Sequence, residues 1–133
     1  MNHIKLTSCL FSFLVMAGCS GTASNAGVAP KISNLTLSQT TVKVGKVETI
    51  TGDVSFSDPD GDVIQLGITL VQSGKTFVVP RAQVPTVAGM TVGKVAYQLT
   101  VGASQAGVVE AVVVVYDAAG HASNALTATV TAE

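Results

Sequence analysis

The sequence predicts an all-β domain, an antiparallel β-sandwich of about seven strands, preceded by an N-terminal export segment and a linker. Short runs in which apolar and polar residues alternate recur along residues 31–133, and a period of two is that of a strand with one buried face. Clusters of turn-forming residues separate these runs. No apolar stripe of helical period and length occurs in the same region. About seven strands in about 100 residues fit two packed sheets.

Four runs alternate so that one face of each is expected to lie on a core. A fifth run, 109–116, is almost wholly apolar, as is typical of a central strand. The residues expected to face the core in the four alternating runs are Ile50, Gly52, Val54 and Phe56; Ile64, Leu66, Ile68 and Leu70; Val95, Tyr97, Leu99 and Val101; and Leu126, Ala128 and Val130.

The turns between the runs are marked by Gly, Pro, Asp, Asn and Ser, which favour tight turns for different conformational reasons. Composition sets further bounds: the 133 residues carry a net charge of −1, and 11% of them are charged. Nucleic acid is excluded as an expected partner because no basic patch is present. The turn signals fall at 38–41, 58–62, 73–75, 102–107 and 117–123.

The N-terminus has the organisation of an export signal. One lysine, Lys5, precedes an apolar run at 6–16, which is shorter than the roughly 20 residues that a membrane-spanning helix needs. The sequence Val-Met-Ala-Gly-Cys at 15–19 resembles the lipobox of bacterial lipoproteins, with Met16 where Leu is commonest. This resemblance implies that residues 1–18 are removed and that Cys19 receives acyl chains such as palmitate. The alternative is an ordinary secretory signal cleaved near Ala23.

Residues 19–30 are predicted to be the lipidated cysteine and a flexible tether, because small residues dominate and no apolar period is present. The folded domain is predicted to span residues 31–133. Cys9 and Cys19 are the two cysteines, so the domain keeps no thiol for a disulfide, a metal or catalysis. Ser20 after the cysteine resembles the pattern that permits outer-membrane delivery in a diderm host. The expected location is the cell envelope, with a lipid anchor in the membrane.

Two motifs resemble those of bacterial Ig-like, PKD-like and cadherin-like domains. The first is Ser-Asp-Pro-Asp-Gly-Asp at 57–62, between two predicted strands. The second is the run 112–115 followed by Tyr-Asp-Ala-Ala-Gly-His-Ala-Ser at 116–123, where His121 replaces the usual Asn. The resemblance implies an antiparallel Ig-like β-sandwich. It implies adhesion, spacing, or protein and carbohydrate binding only in general terms, because such folds serve many functions.

The loop at 58–62 is a candidate Ca²⁺ site. Asp58, Asp60 and Asp62 alternate in a turn, and carboxylate oxygens are the ligands that Ca²⁺ prefers. In the predicted sandwich Asp117 ends a strand at the same pole and is the fourth candidate ligand, and the first strand begins there too. The alternative is that Asp, Pro and Gly are simply good turn formers whose side chains bond to the backbone.

The run 108–116 provides a candidate partner-binding face. If its odd-numbered residues face the core, then Val112, Val114 and Tyr116 face outward as an apolar stripe, and such a stripe can mark a docking surface. The alternative is that β-branched residues simply favour strands, while neighbouring polar side chains cover them.

An enzyme is not expected. His121 and Asp117 suggest acid–base chemistry, but no Ser or Cys nucleophile lies in a recognisable motif, and a loop histidine beside a glycine is typically a solvated turn residue. The sequence therefore predicts a non-enzymatic, lipid-anchored binding or structural module. The alternatives are an accessory subunit of a larger envelope complex and a Ca²⁺-dependent adhesion module.

Overall fold

The computed structural model describes residues 27–133, and the predictions for residues 1–26, including the signal peptide and Cys19, lie outside this range. The described chain forms eight β-strands and one 3₁₀ turn, Pro85–Val87. No helix within 27–133 is long and apolar enough to cross a membrane. The strands are β1 (Lys31–Leu37), β2 (Thr41–Val42), β3 (Val47–Ser57), β4 (Val63–Gln72), β5 (Lys75–Gln83), β6 (Val92–Gly102), β7 (Gly107–Asp117) and β8 (Leu126–Ala132).

The strands form two sheets that pack face to face, which confirms the predicted β-sandwich. The smaller sheet has the strand order β1-β3-β6, and the larger has the order β2-β8-β7-β4-β5. All pairs are antiparallel except the short parallel pair of β2 and β8. Strand β7, the almost wholly apolar run, lies in the middle of the larger sheet, as its composition predicts.

The core lies between the sheets and follows the predicted alternation. In β3, Ile50 and Val54 are fully buried, while the polar residues between them are exposed or half-buried. In β6, Val95 and Leu99 are buried in the same way, and the register between these two strands has no interruption. Burial of these aliphatic side chains contributes about 1.5–3 kcal/mol each to folding.

One predicted core position, Ile64, is wrong. Its side chain is 39% exposed, whereas the preceding Val63 is buried. The register between β4 and β7 shifts between Val63 and Gln65. A one-residue irregularity moves the side chains before it to the opposite face, so Val63 replaces Ile64 in the core. Leu66 and Ile68 lie beyond the shift and are buried as predicted.

Candidate functional site

The turn between β3 and β4 is built around the carboxylate of Asp58, which is fully buried. Its Oδ1 accepts a hydrogen bond from the backbone N–H of Asp60 at 3.3 Å, and its Oδ2 accepts one from that of Asp62 at 3.0 Å. The backbone N–H of Asp58 donates to the carbonyl of Thr91 at 2.7 Å. Asp58 therefore fixes the turn, as the turn-former interpretation predicts, and presents its carboxylate beside the other two.

A glycine is required within this turn. Gly61 has a φ of +68°, and a β-carbon there would lie 3.2 Å from the carbonyl oxygen of Gly89. Only glycine adopts this conformation without strain, so Gly61 allows the chain to reverse between Asp60 and Asp62.

The carboxylates of Asp58, Asp60 and Asp62 form a tight cluster. One oxygen of each lies within 4.8 Å of the others. The Oδ1 of Asp62 is buried and has no hydrogen-bond partner among residues 27–133. Burial raises the pKa of Asp62, and a hydrogen bond to Asp58 and the negative charges of Asp58, Asp117 and Asp60 raise it further. The cluster thus has excess negative charge that a proton or a cation would balance, and its donor set suits a hard cation.

Asp117 ends β7 beside this cluster, at the pole where the sequence predicts it. It is paired with Val63 across the sheet, and the backbone N–H of Ala118 donates to the carbonyl of Asp62 at 2.9 Å. Its carboxylate, however, is held by His121: Oδ1 accepts from the backbone N–H and Oδ2 lies 2.7 Å from the ring Nδ1. Burial raises the pKa of Asp117, but the hydrogen bonds from His121 outweigh it, so that the pKa is lowered overall.

The sequence brings His121 and Asp117 together only as a suggestion and favours a solvated turn histidine, whereas the structure pairs the two side chains. The ring is 37% exposed, yet one nitrogen is directed at a carboxylate that is fully buried. The spacing in the sequence is compatible with this pairing, because the two residues are four apart across a turn in which Gly120 has a φ of +90°. The hydroxyl of the nearby Ser123 already makes two hydrogen bonds, because it accepts one from the N–H of Val115 and donates one to the carbonyl of Asn124.

The chain that leads into β1 contacts the acidic cluster. The backbone N–H of Val28 donates to Oδ2 of Asp60 at 2.6 Å. A β-carbon on Gly27 would lie 2.9 Å from the same oxygen and 3.8 Å from Oδ2 of Asp117. The cluster therefore lies at the pole where the N-terminal segment enters the domain, as the predicted topology requires.

The outer face of β7 is partly covered. Val112, Val114 and Tyr116 are each half-buried. The guanidinium of Arg81 lies 3.6 Å from the centre of the Tyr116 ring, a cation–π contact, and a β-carbon on Gly67 would lie 3.0 Å from that ring. The structure brings these three residues into one row, and a docking role for them stays a prediction.

A groove between β5 and β6 is a feature that the sequence did not indicate. It contains a cavity of about 430 Å³, within the size range of ligand pockets. On its inner wall the hydroxyl of Tyr97 donates to the carbonyl of Thr36 at 2.9 Å. Burial and the negative charge of Asp53 raise the pKa of Tyr97 to about 12, so this hydroxyl stays protonated. The apolar residues that line the cavity include Leu66, Ile68, Val79 and Val84.

Comparison with solved structures supports the fold. The chain is similar to the PKD domain of an M14-like peptidase from Thermoplasmatales archaeon SCGC AB-540-F20, with 19% identity and a TM-score of 0.51 over 80% of this chain and 98% of that one. It is similar to fibronectin(III)-like modules of Clostridium thermocellum CbhA, with 19% identity, a TM-score of 0.51 and 80% of this chain covered. The match covers 47% of the CbhA structure, about half its length. No protein-family model matches the sequence, and no curated protein does.

Proposed function

We propose that this protein is a lipid-anchored binding or structural module of the cell envelope, without enzymatic activity. The observation that carries the proposal is the lipobox-like sequence ending at Cys19, followed by a short segment of small residues and then by a sandwich that begins at Lys31. The likeness to PKD and fibronectin(III)-like modules is consistent with a structural or binding module. In a diderm host Ser20 favours the outer membrane.

The proposed anchor acts through the hydrophobic effect. Each acyl methylene transferred into the bilayer contributes about 0.8 kcal/mol, and two or three chains together hold a protein stably. Because Val28 already contacts Asp60, the tether would comprise residues 20–26, and a flexible segment of that length would have a typical span of roughly 15 Å. The acidic pole, where the chain enters the domain, would then lie towards the membrane. The opposite pole and the sides of the sandwich would be free to meet partners.

Replacing Cys19 with Ser tests the anchor. Serine offers no sulfur for the diacylglyceryl group, so we expect the variant to leave the membrane fraction and remain folded, as measured by cell fractionation and circular dichroism. Ser20→Ala is the matched control, because it changes the neighbouring residue and keeps the cysteine. A Cys19→Ser protein that stays with the membrane in high salt and carbonate would overturn the proposed anchor.

The second candidate function is Ca²⁺ binding at the acidic pole. Asp58, Asp60 and Asp62 would hold the ion, and the observation that favours it is the buried Oδ1 of Asp62, which no residue in the described part of the chain hydrogen-bonds. Asp117 does not belong to the group of carboxylates whose oxygens lie within 4.8 Å of one another, so it would contribute mainly through its charge. A bound ion would neutralise the cluster beside the Val28 contact and so stiffen the entry of the chain into the domain.

Calcium titration of the whole chain in detergent tests this site. Isolated extracellular modules bind Ca²⁺ with Kd values of about 0.1–1 mM, and a twentyfold excess over Kd raises the free energy of unfolding by about 2 kcal/mol. We therefore expect heat of binding and a higher melting temperature at millimolar Ca²⁺.

Three variants separate the site from general charge effects. Asp62→Asn and Asp60→Ala should abolish the response, while the matched variant Glu110→Gln, at an exposed acid on β7, should keep it.

Because the pKa of Asp62 is raised, its ionised form is disfavoured in the fold, and stability falls as the pH rises from 3.8 through the folded pKa. Without Ca²⁺, Asp62→Asn should therefore be more stable than the wild type at neutral pH. No heat at millimolar Ca²⁺ would exclude the site.

A further inference from the structure

Three of the four outer strands of the two sheets have protected edges. The backbone of β1 is bonded by Asn124, whose Oδ1 accepts from the N–H of Ile32 at 2.8 Å and whose Nδ2 donates to the Ile32 carbonyl at 3.0 Å. Strand β2 is only two residues long. Strand β5 contains Pro80, which lacks an N–H, and its register with β4 is irregular. Short length, proline and irregular register are the devices that prevent unwanted strand pairing.

The fourth edge, that of β6, has no such protection. Its eleven residues pair with β3 in one unbroken register, contain no proline and carry one charge, Lys94. The hydrogen bond from Asp58 N–H to the Thr91 carbonyl shows that these two residues form a hydrogen-bonded pair, and such pairs recur at every second position of the ladder. Odd-numbered residues of β6 therefore bond to β3, and even-numbered residues direct their N–H and C=O groups to the open side. These open residues, which have no other hydrogen-bond partner within 27–133, are Val92, Lys94, Ala96, Gln98, Thr100 and Gly102.

The larger sheet extends past this edge, and no residue in 27–133 covers the apolar surface that it leaves there. Strand β1 packs on β8 and β7, so the three strands of the smaller sheet end before β5 is covered. Phe77 on β5 is 56% exposed, and Val79 is half-buried. The cavity of about 430 Å³ is followed along the groove by one of about 290 Å³, which Leu70, Phe77 and Val101 line. The place of one further strand in the smaller sheet is thus open.

Charge indicates what kind of segment fits. No Asp or Glu within 27–133 lines either cavity, nor the small one of about 160 Å³ that closes the groove beside Lys75. Lys75 on β5 forms no ion pair with any residue in 27–133, whereas Lys94 lies 3.5 Å from Asp53. The end of the groove at Lys75 is therefore complementary to an acidic group.

We propose that β6 binds an extended segment of a partner protein by strand addition. The segment pairs its backbone with the even-numbered residues of β6, inserts an apolar side chain into the groove at every second position, and places a carboxylate near Lys75. Main-chain hydrogen bonds supply affinity and the alternate side chains supply specificity. A second copy does not fit this place, because a symmetric β6–β6 pair would bring the two overhanging β5 strands onto each other.

The test uses the whole chain in detergent and a synthetic peptide as long as β6, with alternating Val and Thr and two Asp at one end. Amide hydrogen exchange by NMR reads out the pairing. In the free protein we expect odd-numbered β6 amides to be protected and those of Lys94, Ala96 and Gln98 to exchange fast. At saturating peptide we expect exchange at these three to slow by about tenfold or more, because each becomes a ladder donor.

Two controls separate pairing from apolar adsorption. The same peptide with N-methyl groups on alternate amides keeps its side chains but cannot pair its backbone with β6. Its Kd should therefore be at least about tenfold higher. Gln98→Pro removes one outward N–H without breaking the β3 ladder and should weaken binding similarly, while Gln98→Ala should not. Circular dichroism verifies that both variants fold.

Four outcomes would overturn the proposal. Two concern the peptide: no binding at millimolar concentration, or equal binding of the N-methylated peptide. The third is uptake of a small apolar dye with no peptide-induced protection of β6, which would make the groove a small-molecule site. The fourth is a symmetric dimer through β6 in sedimentation. Equal affinity for a peptide that ends in two Lys would contradict the assignment of the acidic end.

Discussion

The Gly52→Ala variant is expected to lose about 3 kcal/mol or more of its free energy of unfolding. A β-carbon at Gly52 would overlap the carbonyl oxygen of Thr36 and lie 2.6 Å from the hydroxyl oxygen of Tyr97. The first of these atoms belongs to the backbone of β1 and cannot turn away, so the strand itself has to move. Overpacking usually costs about 1–3 kcal/mol, and a clash with the backbone lies at or above the top of that range.

Thermal unfolding measures this effect, and a second glycine provides the control. A loss of 3 kcal/mol lowers the melting temperature of a domain of this size by roughly 12–24 °C. In Gly67→Ala the nearest atom is Cε2 of Tyr116 at 3.0 Å, on a half-buried ring that can tilt. That variant should lose about 1 kcal/mol or less. Equal melting temperatures for the two variants would show that β1 does not pack on Gly52 as described.

The second large effect is expected for Asp117→Ala, at about 2–3 kcal/mol. Asp117 is fully buried, and its carboxylate accepts the backbone N–H and faces the ring Nδ1 of His121, both at 2.7 Å. Alanine leaves these groups without their acceptor, and each buried polar group left unpaired costs about 1–3 kcal/mol. His121→Ala is the matched control, because it removes the ring and keeps the backbone hydrogen bond. It should lose about half as much.

The effect of Asp117 depends on pH in a defined direction. The folded-state pKa of Asp117 is lowered from its ordinary value of 3.8. Its contribution to stability is therefore complete above pH 3.8 and is lost as the pH falls through the folded pKa. Urea unfolding at a series of pH values should show the full difference between wild type and Asp117→Ala above pH 3.8 and a shrinking difference as the pH falls below it. A constant difference across that range would mean that the carboxylate charge plays no part.

Much of the fold follows from alternation in the sequence. Every second residue of β6 from Val95 to Val101 is buried, and in β3 the same row contains the buried Ile50, Val54 and Phe56 with the half-buried Gly52 among them. The inward faces of both strands could therefore be predicted from the alternation. Ile64 could not be placed, because the irregular register beside it depends on how β4 meets β7 rather than on local pattern. The positions of Asp58, Asp60, Asp62 and Asp117 at one pole followed from strand order, since a loop's place is set by the strands that it joins.

The partners of these side chains could not be predicted. Whether the carboxylate of Asp117 points to the acidic cluster or to His121 depends on the conformation of the turn that carries His121. Strand order does not determine that conformation. The groove beside β6 was missed for a different reason. It results from the unequal widths of two sheets, and β5, with exposed residues such as Val78 on both faces, has no alternation to mark it as a strand with one buried side.

We propose that Cys19 holds the protein to a membrane, and the mass of the protein extracted from membranes tests this anchor. Intact-mass and N-terminal peptide analysis should find a chain that begins at Cys19, lacks residues 1–18, and carries a diacylglyceryl group on the sulfur and an acyl chain on the amine. A chain without lipid that begins near residue 23, or one that retains Met1, would exclude lipidation at Cys19.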